Sequence, residues 1–141
     1  MIVKCVVSNI NLLSSSRVKT RLKKYLLSSD GYLPLKVGNV FVVYGLVFRD
    51  NCLWYLLCVS EGDESPTPYP AEVFEILNAH PSRFWTVTEK DNGNSEFYLS
   101  FKEWSKSFFE RLIDGDPEAV NLFSNYRDKM DNEAKNSYGS L

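Results

Sequence analysis

Residues 39–59 read NVFVVYGLVFRDNCLWYLLCV, and this stretch decides the fold. β-Branched and aromatic residues dominate both of its halves, which predicts one strand over residues 39–48 and a second over residues 53–59. The four residues between them, 49–52, have the composition of a hairpin turn. Gly45 interrupts the first strand and indicates a bulge or bend there. Because both strands are apolar almost throughout, each is expected to be covered on both faces over part of its length.

The flanking sequence predicts further strands and then, after residue 100, helices. Strand patterns occur at residues 1–7, 73–77, 84–89 and 97–99, with a helical turn at 70–72, a turn at 91–94 and an exposed loop at 60–70. Apolar residues at helical spacing predict a short basic helix over about residues 17–27 and two packed helices within 101–130. Trp104 and Phe123 lie on the inward faces of these two helices, so both are predicted to be buried. The first of these two begins with a capping box at 100–103, and the second with Asp116-Pro117. Residues 131–141 are polar and are predicted to form a frayed tail.

Length and composition indicate one folded domain over residues 1–141, mainly β up to residue 100. The chain is 44% hydrophobic and 14% aromatic, which suffices for a packed core. We therefore predict an α+β fold, in which a small curved antiparallel sheet is covered by C-terminal helices. The order of segments over residues 35–77 resembles a Src-homology-three barrel, which implies a partly open barrel.

The sequence offers little support for catalysis. Nucleophilic triads of the Ser or Cys type require a histidine, and the single histidine, His80, precedes Pro81 in a predicted turn. The three cysteines lack metal-ligand spacing, and no phosphate-binding glycine motif occurs. We expect no catalytic residues, no metal and no cofactor, and hence no enzyme. A carboxylate-dependent hydrolase remains a less favoured alternative, based on the pairs Glu72 with Glu75 or Asp63 with Glu64.

Charge is divided unevenly along the chain. Residues 1–36 contain seven basic residues and one acid, whereas residues 37–141 contain nine basic residues and seventeen acids, giving net charges of +6 and −8. The acidic part suits a basic protein partner. The residues proposed to bind this partner lie in one loop and one helix–helix corner: Glu61, Asp63, Glu64, Tyr69, Asp114, Asp116 and Glu118.

Other partners are less favoured by the sequence. The basic helix at 17–24 could follow phosphates, but the overall acidity and the lack of an RNA-binding aromatic signature argue against nucleic acid. No apolar run approaches the ~20 residues of a membrane span, and no signal-peptide core is visible, so we expect a cytoplasmic protein without a membrane partner. A peptide-binding adaptor is the main alternative, because Trp54, Tyr69 and Pro70 occupy positions like those that line a groove for proline-rich ligands.

Several short stretches together resemble one family. They are GNVFVVYG at 38–45, WYL at 54–56, YPAEVFEI at 69–76, SRFW at 82–85, LSFKEW at 99–104 and LIDGDPE at 112–118. The chain resembles, over about residues 36–130, small cytosolic bacterial immunity proteins that are paired with contact-dependent growth-inhibition or polymorphic toxins. The resemblance implies a stoichiometric inhibitor that binds a cognate toxin domain, such as a nuclease, and blocks its active site. It implies no catalytic residues.

Overall fold

The computed structural model describes residues 1–25, 30–88 and 96–138, which form eight strands and three α-helices. The strands are β1 (Ile2–Cys5), β2 (Val40–Val42), β3 (Gly45–Arg49), β4 (Cys52–Leu57), β5 (Thr67–Pro70), β6 (Phe74–Asn78), β7 (Thr86–Thr88) and β8 (Phe97–Ser100). The helices are α1 (Ser16–Leu22), α2 (Lys106–Ile113) and α3 (Pro117–Tyr138), and short 3-10 turns span Ile10–Leu12, Lys23–Tyr25 and Ala71–Val73. The predicted α+β class is confirmed.

The strands form two antiparallel sheets, and the described residues close no barrel. The smaller sheet has the order β2-β1-β6, and the larger has the order β5-β4-β3-β8-β7. The single strand predicted over 39–48 is divided into β2 and β3, which belong to different sheets. The break precedes Gly45, where a Cβ atom would lie 2.9 Å from both Leu56 Cδ1 and Ser100 Cβ. The predicted bend at Gly45 thus carries the chain from one sheet to the other, and the close packing leaves no room for a side chain.

The hairpin between β3 and β4 forms as predicted. Asp50 and Asn51 have φ angles of 55° and 57°, the left-handed values that a two-residue type I′ turn requires at both positions. The ladder pairs Arg49 with Cys52 and continues to Gly45 with Leu56. Short polar residues tolerate this backbone conformation better than most side chains do, which explains why a glycine-free turn works here.

Two groups of buried side chains hold the layers together. The first lies between the larger sheet and the helices and is rich in aromatic rings, among them Trp54, Phe101, Trp104, Phe108 and Phe123. The second is contributed by both sheets and includes Val3, Phe41, Tyr55, Tyr69 and Phe74. Residues on opposite faces of β4 belong to different groups, so this strand is covered on both faces as its apolar sequence predicts.

The start of α2 differs from the prediction. Its N-cap is Ser105, whose Oγ accepts a hydrogen bond of 3.0 Å from the amide of Phe108. Ser100, the predicted cap, is instead a fully buried residue of β8, and its hydroxyl donates to the carbonyl of Tyr44 at 2.9 Å. The capping box at 100–103 was therefore wrong, because Ser100 belongs to β8 and its hydroxyl is bonded to Tyr44, directly before β3. Trp104 is buried, as the apolar spacing predicts.

The C-terminal tail also differs from the prediction. α3 starts at Pro117 after Asp116, as predicted, but it continues to Tyr138 instead of fraying after Met130. Ala134 is 3% exposed, so the added turns are packed on the core. The frayed tail was wrong for residues 131–138, and residues 139–141 lie outside the described part of the chain.

Other element boundaries shift by smaller amounts. The segment 60–70 was predicted to be a loop throughout, but its last four residues form β5 and pair with β4. α1 begins after the N-cap Ser15 and ends at Leu22, followed by a 3-10 turn; residues 26 and 27 of the predicted helix and the predicted turn at 91–94 lie outside the described residues. Within the described ranges, no helix combines the length and apolar character that a membrane crossing requires.

Candidate functional site

The acidic loop, residues 60–64, lies between β4 and β5 and contains two internal hydrogen bonds. The amide of Ser60 donates to Asp63 Oδ2 at 3.0 Å, and the amide of Asp63 donates to the carbonyl of Ser60 at 3.2 Å. Gly62 has a φ of 85°, which few other residues adopt without strain. Glu61 and Glu64 are exposed and make no ion pair with any described residue. The loop therefore presents two free carboxylates on an ordered turn.

The acidic loop is also attached to α3. The guanidinium of Arg127 donates to the carbonyl of Asp63, and it lies over the ring of Phe123 at 5.6 Å from the centroid. Next to it, the hydroxyl of Tyr44 donates to Asp131 at 2.7 Å. Burial raises the pKa of Asp131, while the Tyr44 hydroxyl and Arg127 oppose that rise. Arg127 and Asp131 thus form a half-buried polar support behind the loop.

The thiol of Cys58 lies next to Arg127 and Asp131 and is half-buried. Burial raises its pKa to about 11, although a hydrogen bond and charge attraction from Arg127 act in the other direction. Burial and, secondarily, the Asp131 carboxylate also raise the pKa of Tyr44. Both groups therefore stay protonated at neutral pH, and they lie between the sheet and α3. All three cysteines are free, and Cys5 and Cys52 are buried.

Tyr69 does not lie where the sequence reasoning required it. Its side chain is 7% exposed and packs in the group contributed by both sheets, opposite Tyr55 in the β4–β5 ladder. Trp54, at 3% exposure, and Pro70 are buried as well. These three residues were predicted to anchor a partner or line a peptide groove, but their burial leaves almost no surface for either role. They are buried because β5 pairs with β4 and thereby becomes part of the larger sheet.

The corner between α2 and α3 is acidic but partly neutralised. Arg111 bonds to Asp116 Oδ2 through Nε at 2.7 Å and through a terminal nitrogen at 2.6 Å, and that nitrogen also lies 3.8 Å from Glu118. Asp114 caps the C-terminus of α2, and Gly115 has a φ of 77°. This corner is mainly a helix-capping structure. From Asp116 to Arg127 is about 16 Å along α3, so the corner and the acidic loop are separate sites on one helix.

A cleft of about 420 Å³ lies between α3 and the turn that follows β6. Its lining includes His80, Arg83, Lys129 and Glu133. The carboxylate of Glu133 accepts hydrogen bonds from the hydroxyl of Ser82 at 2.5 Å and from the amide of Arg83 at 3.0 Å. These bonds connect the turn to α3. His80 is exposed, and its Nδ1 lies 2.9 Å from the carbonyl of Pro81. The histidine lies in a turn as expected, and no described carboxylate bonds to it.

Three of the four carboxylates considered for hydrolysis are bound to other groups. Glu72 forms an ion pair with Arg21, and Glu75 lies 3.5 Å from Lys4 on the outer face of the smaller sheet. Asp63 holds the turn of the acidic loop instead of facing Glu64 across a cleft. Among the residues that the structure describes, no group of three or more His, Cys, Asp or Glu side chains is arranged to hold a metal ion.

Sequence reasoning missed Arg127, Asp131 and Glu133, which join α3 to the loops. Arg127 and Asp131 are four residues apart and therefore lie on one helix face, a spacing that was visible in the sequence. Their partners were not visible, because Asp63 and Tyr44 are 64 and 87 residues away along the chain. Helical spacing alone would have suggested a solvent-exposed i,i+4 pair.

The fold and these sites define the chain as an α+β protein with two antiparallel sheets and a helical cover. Comparison with known proteins adds no relative: no protein-family model, curated protein or solved structure matches the chain significantly.

Proposed function

We propose that the protein is a non-catalytic immunity protein that acts in the cytoplasm and neutralises a cognate bacterial toxin domain by covering its active site. The observation that carries this proposal is the acidic loop, in which Glu61 and Glu64 are exposed on a turn fixed by Asp63 and by Arg127 of α3. An ordered loop loses little conformational entropy on binding, so its charges are more effective than those of a flexible tail.

Charge supports a basic partner for this surface. Residues 37–141 carry a net charge of −8. A toxin that cleaves nucleic acid has a basic cleft, and a carboxylate pair on a rigid loop can occupy the positions of phosphates there. Complementary charge of this kind raises association rates from about 10⁵–10⁶ to as much as 10⁸–10⁹ M⁻¹s⁻¹ at low salt.

The two alternatives receive less support. A peptide-binding groove would need Trp54, Tyr69 and Pro70 at the surface, and all three are buried. A carboxylate-dependent hydrolase would need two acids facing a common cleft, but Glu72 is paired with Arg21 and Glu75 with Lys4. Neither alternative is favoured by a described arrangement of side chains.

The first experiment is a pull-down of the protein with the product of the adjacent gene, followed by a growth assay in which both are expressed. The proposal predicts a one-to-one complex and survival of cells that make both proteins. Failure of the adjacent gene product to bind, together with no protection, would refute the immunity function.

The second experiment locates the surface by charge reversal. Asp63 holds the turn, so the informative variant is Glu61→Lys with Glu64→Lys. A matched control is Glu75→Lys with Glu110→Lys, which changes two exposed acids on β6 and α2. Association measured by stopped flow at low and high salt should slow at least about tenfold for the loop variant, with a weaker salt dependence. Equal slowing in the control would show that only net charge matters and that the loop is not the site.

A further inference from the structure

Three large hydrophobic side chains are exposed in the basic part of the chain, residues 1–36: Val6, Leu12 and Tyr32. Leu12 is 75% exposed and Tyr32 is 60% exposed. Residues 1–36 also carry the seven basic residues and the single acid noted above. Exposed apolar residues and basic residues are thus close together in the sequence here.

Three basic residues in α1 or directly after it face solvent, because the apolar residues of the helix point to the core. Leu22 is buried and Val18 packs on the core, whereas Arg17, Lys23 and Lys24 are exposed. Within the described residues, the side chains of these three make no ion pair, in contrast to Arg21, which pairs with Glu72. Their charges are thus available to a partner.

Two of the exposed apolar residues, Leu12 and Tyr32, are linked to this helix through the 3-10 turn Ile10–Leu12. Leu12 ends the 3-10 turn that packs against α1. Tyr32 is joined to the start of the same turn by a β-bridge to Asn9, and Asn11 donates to the carbonyl of Asp30 at 3.2 Å. The segment at 30–33 therefore lies alongside residues 8–11. We call the combination of Leu12, Arg17, Lys23, Lys24 and Tyr32 the basic apolar surface.

We propose that the basic apolar surface docks on an anionic lipid bilayer. Lys and Arg side chains are attracted to anionic headgroups, while exposed leucine and tyrosine side chains enter the boundary between headgroups and acyl chains. Nucleic acid could pair with the basic side chains, but it would not explain the exposed Leu12, since an aliphatic side chain offers no ring for base stacking. Docking on the membrane surface needs no spanning helix, so the absence of an apolar run in the sequence does not oppose it. This inference does not depend on the proposed toxin binding, which uses acidic residues elsewhere.

The test is sedimentation of the full chain with vesicles of neutral phosphatidylcholine or of phosphatidylcholine containing 30% phosphatidylglycerol. The proposal predicts binding to the anionic vesicles that weakens as salt is added, and little binding to neutral ones. Each basic residue near an anionic surface contributes a factor of about five, so Lys23→Gln with Lys24→Gln should lower the partition coefficient about 25-fold. At high salt, where charge attraction is screened, the remaining vesicle binding should be weaker for Leu12→Ser than for the parent. The melting temperature should not change, because the Leu12 side chain is exposed.

A matched control removes two exposed lysines from other elements, Lys102→Gln with Lys135→Gln. This variant has the same net charge as the Lys23/Lys24 variant and should bind vesicles within about threefold of the parent. An equal loss in both double variants would overturn the proposal, because it would show a response to net charge only. Absence of binding to anionic vesicles, or saturable binding of a single-stranded oligonucleotide in their place, would also overturn it.

Discussion

Replacement of Trp104 by alanine should remove a large part of the stability of the protein. The indole is 1% exposed and lies on the segment that leads from β8 into α2. Its ring centroid is 5.5 Å from that of Phe101 in an edge-to-face arrangement and 5.6 Å from that of Phe108. Truncation of a buried tryptophan costs about 3–5 kcal/mol, through lost apolar burial and the cavity left behind.

One feature of the indole reduces the loss below the upper end of that range. Its Nε1 is buried and has no hydrogen-bond partner among the described residues, and an unsatisfied buried donor costs about 1–3 kcal/mol. Removal of the N–H group is therefore favourable in itself. We expect Trp104→Ala to cost about 3 kcal/mol, whereas Trp104→Phe, which keeps a ring and removes the N–H, should cost under about 1.5 kcal/mol.

Urea unfolding followed by circular dichroism measures both variants, with calorimetry as a second probe. For a chain of this size, about 3 kcal/mol corresponds to a fall of roughly 6–12 °C in Tm. Ile113→Ala is the control, because this α2 residue is 61% exposed and its truncation should change stability by less than about 0.5 kcal/mol. A Trp104→Ala protein whose free energy of unfolding lies within about 1 kcal/mol of the parent value would refute the assignment of this side chain to the core.

Three further predictions concern single groups. His80→Ala should leave partner binding within about tenfold of the parent and Tm nearly unchanged, because the ring is exposed; a loss of several orders of magnitude with an intact fold would reveal an essential role. Asp131 has a folded-state pKa above its ordinary value of 3.8, so its contribution to stability should fall as pH rises from about that value through the folded pKa. Asp131→Asn retains an acceptor for the Tyr44 hydroxyl and should reduce this fall of the unfolding free energy with rising pH. A pH profile identical to that of the parent would contradict the prediction. Ser105→Ala should cost about 1 kcal/mol in urea unfolding through loss of the α2 N-cap; no loss would restore Ser100 as the candidate cap.

The sequence predicted those features that depend on neighbouring residues. The turn at Asp50-Asn51 forms because short polar side chains tolerate a positive φ, and the start of α3 at Pro117 follows from a proline whose missing N–H is not needed at a first helical position. The apolar spacing of the C-terminal third correctly placed Trp104 and Phe123 in the core. The turn and the helix start depend on interactions over only a few residues, and the apolar spacing identifies the inward face of a helix without naming what covers it.

The proposed site was predictable only in part. Glu61 and Glu64 are exposed on a loop, as three prolines and three acids in a short segment indicate. Tyr69 was placed at the surface by the same reasoning, but it pairs across the ladder with Tyr55 and is buried between the sheets. A tyrosine in a proline-rich segment has no local feature that distinguishes an exposed ring from a buried one.

By itself, the sequence determined the α+β class, the β3–β4 hairpin, the helix starting at Pro117 and the separation of basic from acidic segments. Only the tertiary structure decided that the apolar run at 39–48 divides between two sheets, that Arg111 neutralises part of the acidic corner, and that Arg127 supports the acidic loop. The physical reason is the range of the interactions. Turns and caps are formed by bonds between residues at most a few positions apart, whereas burial and ion pairing depend on segments such as Asp63 and Arg127, which only the folded chain brings together.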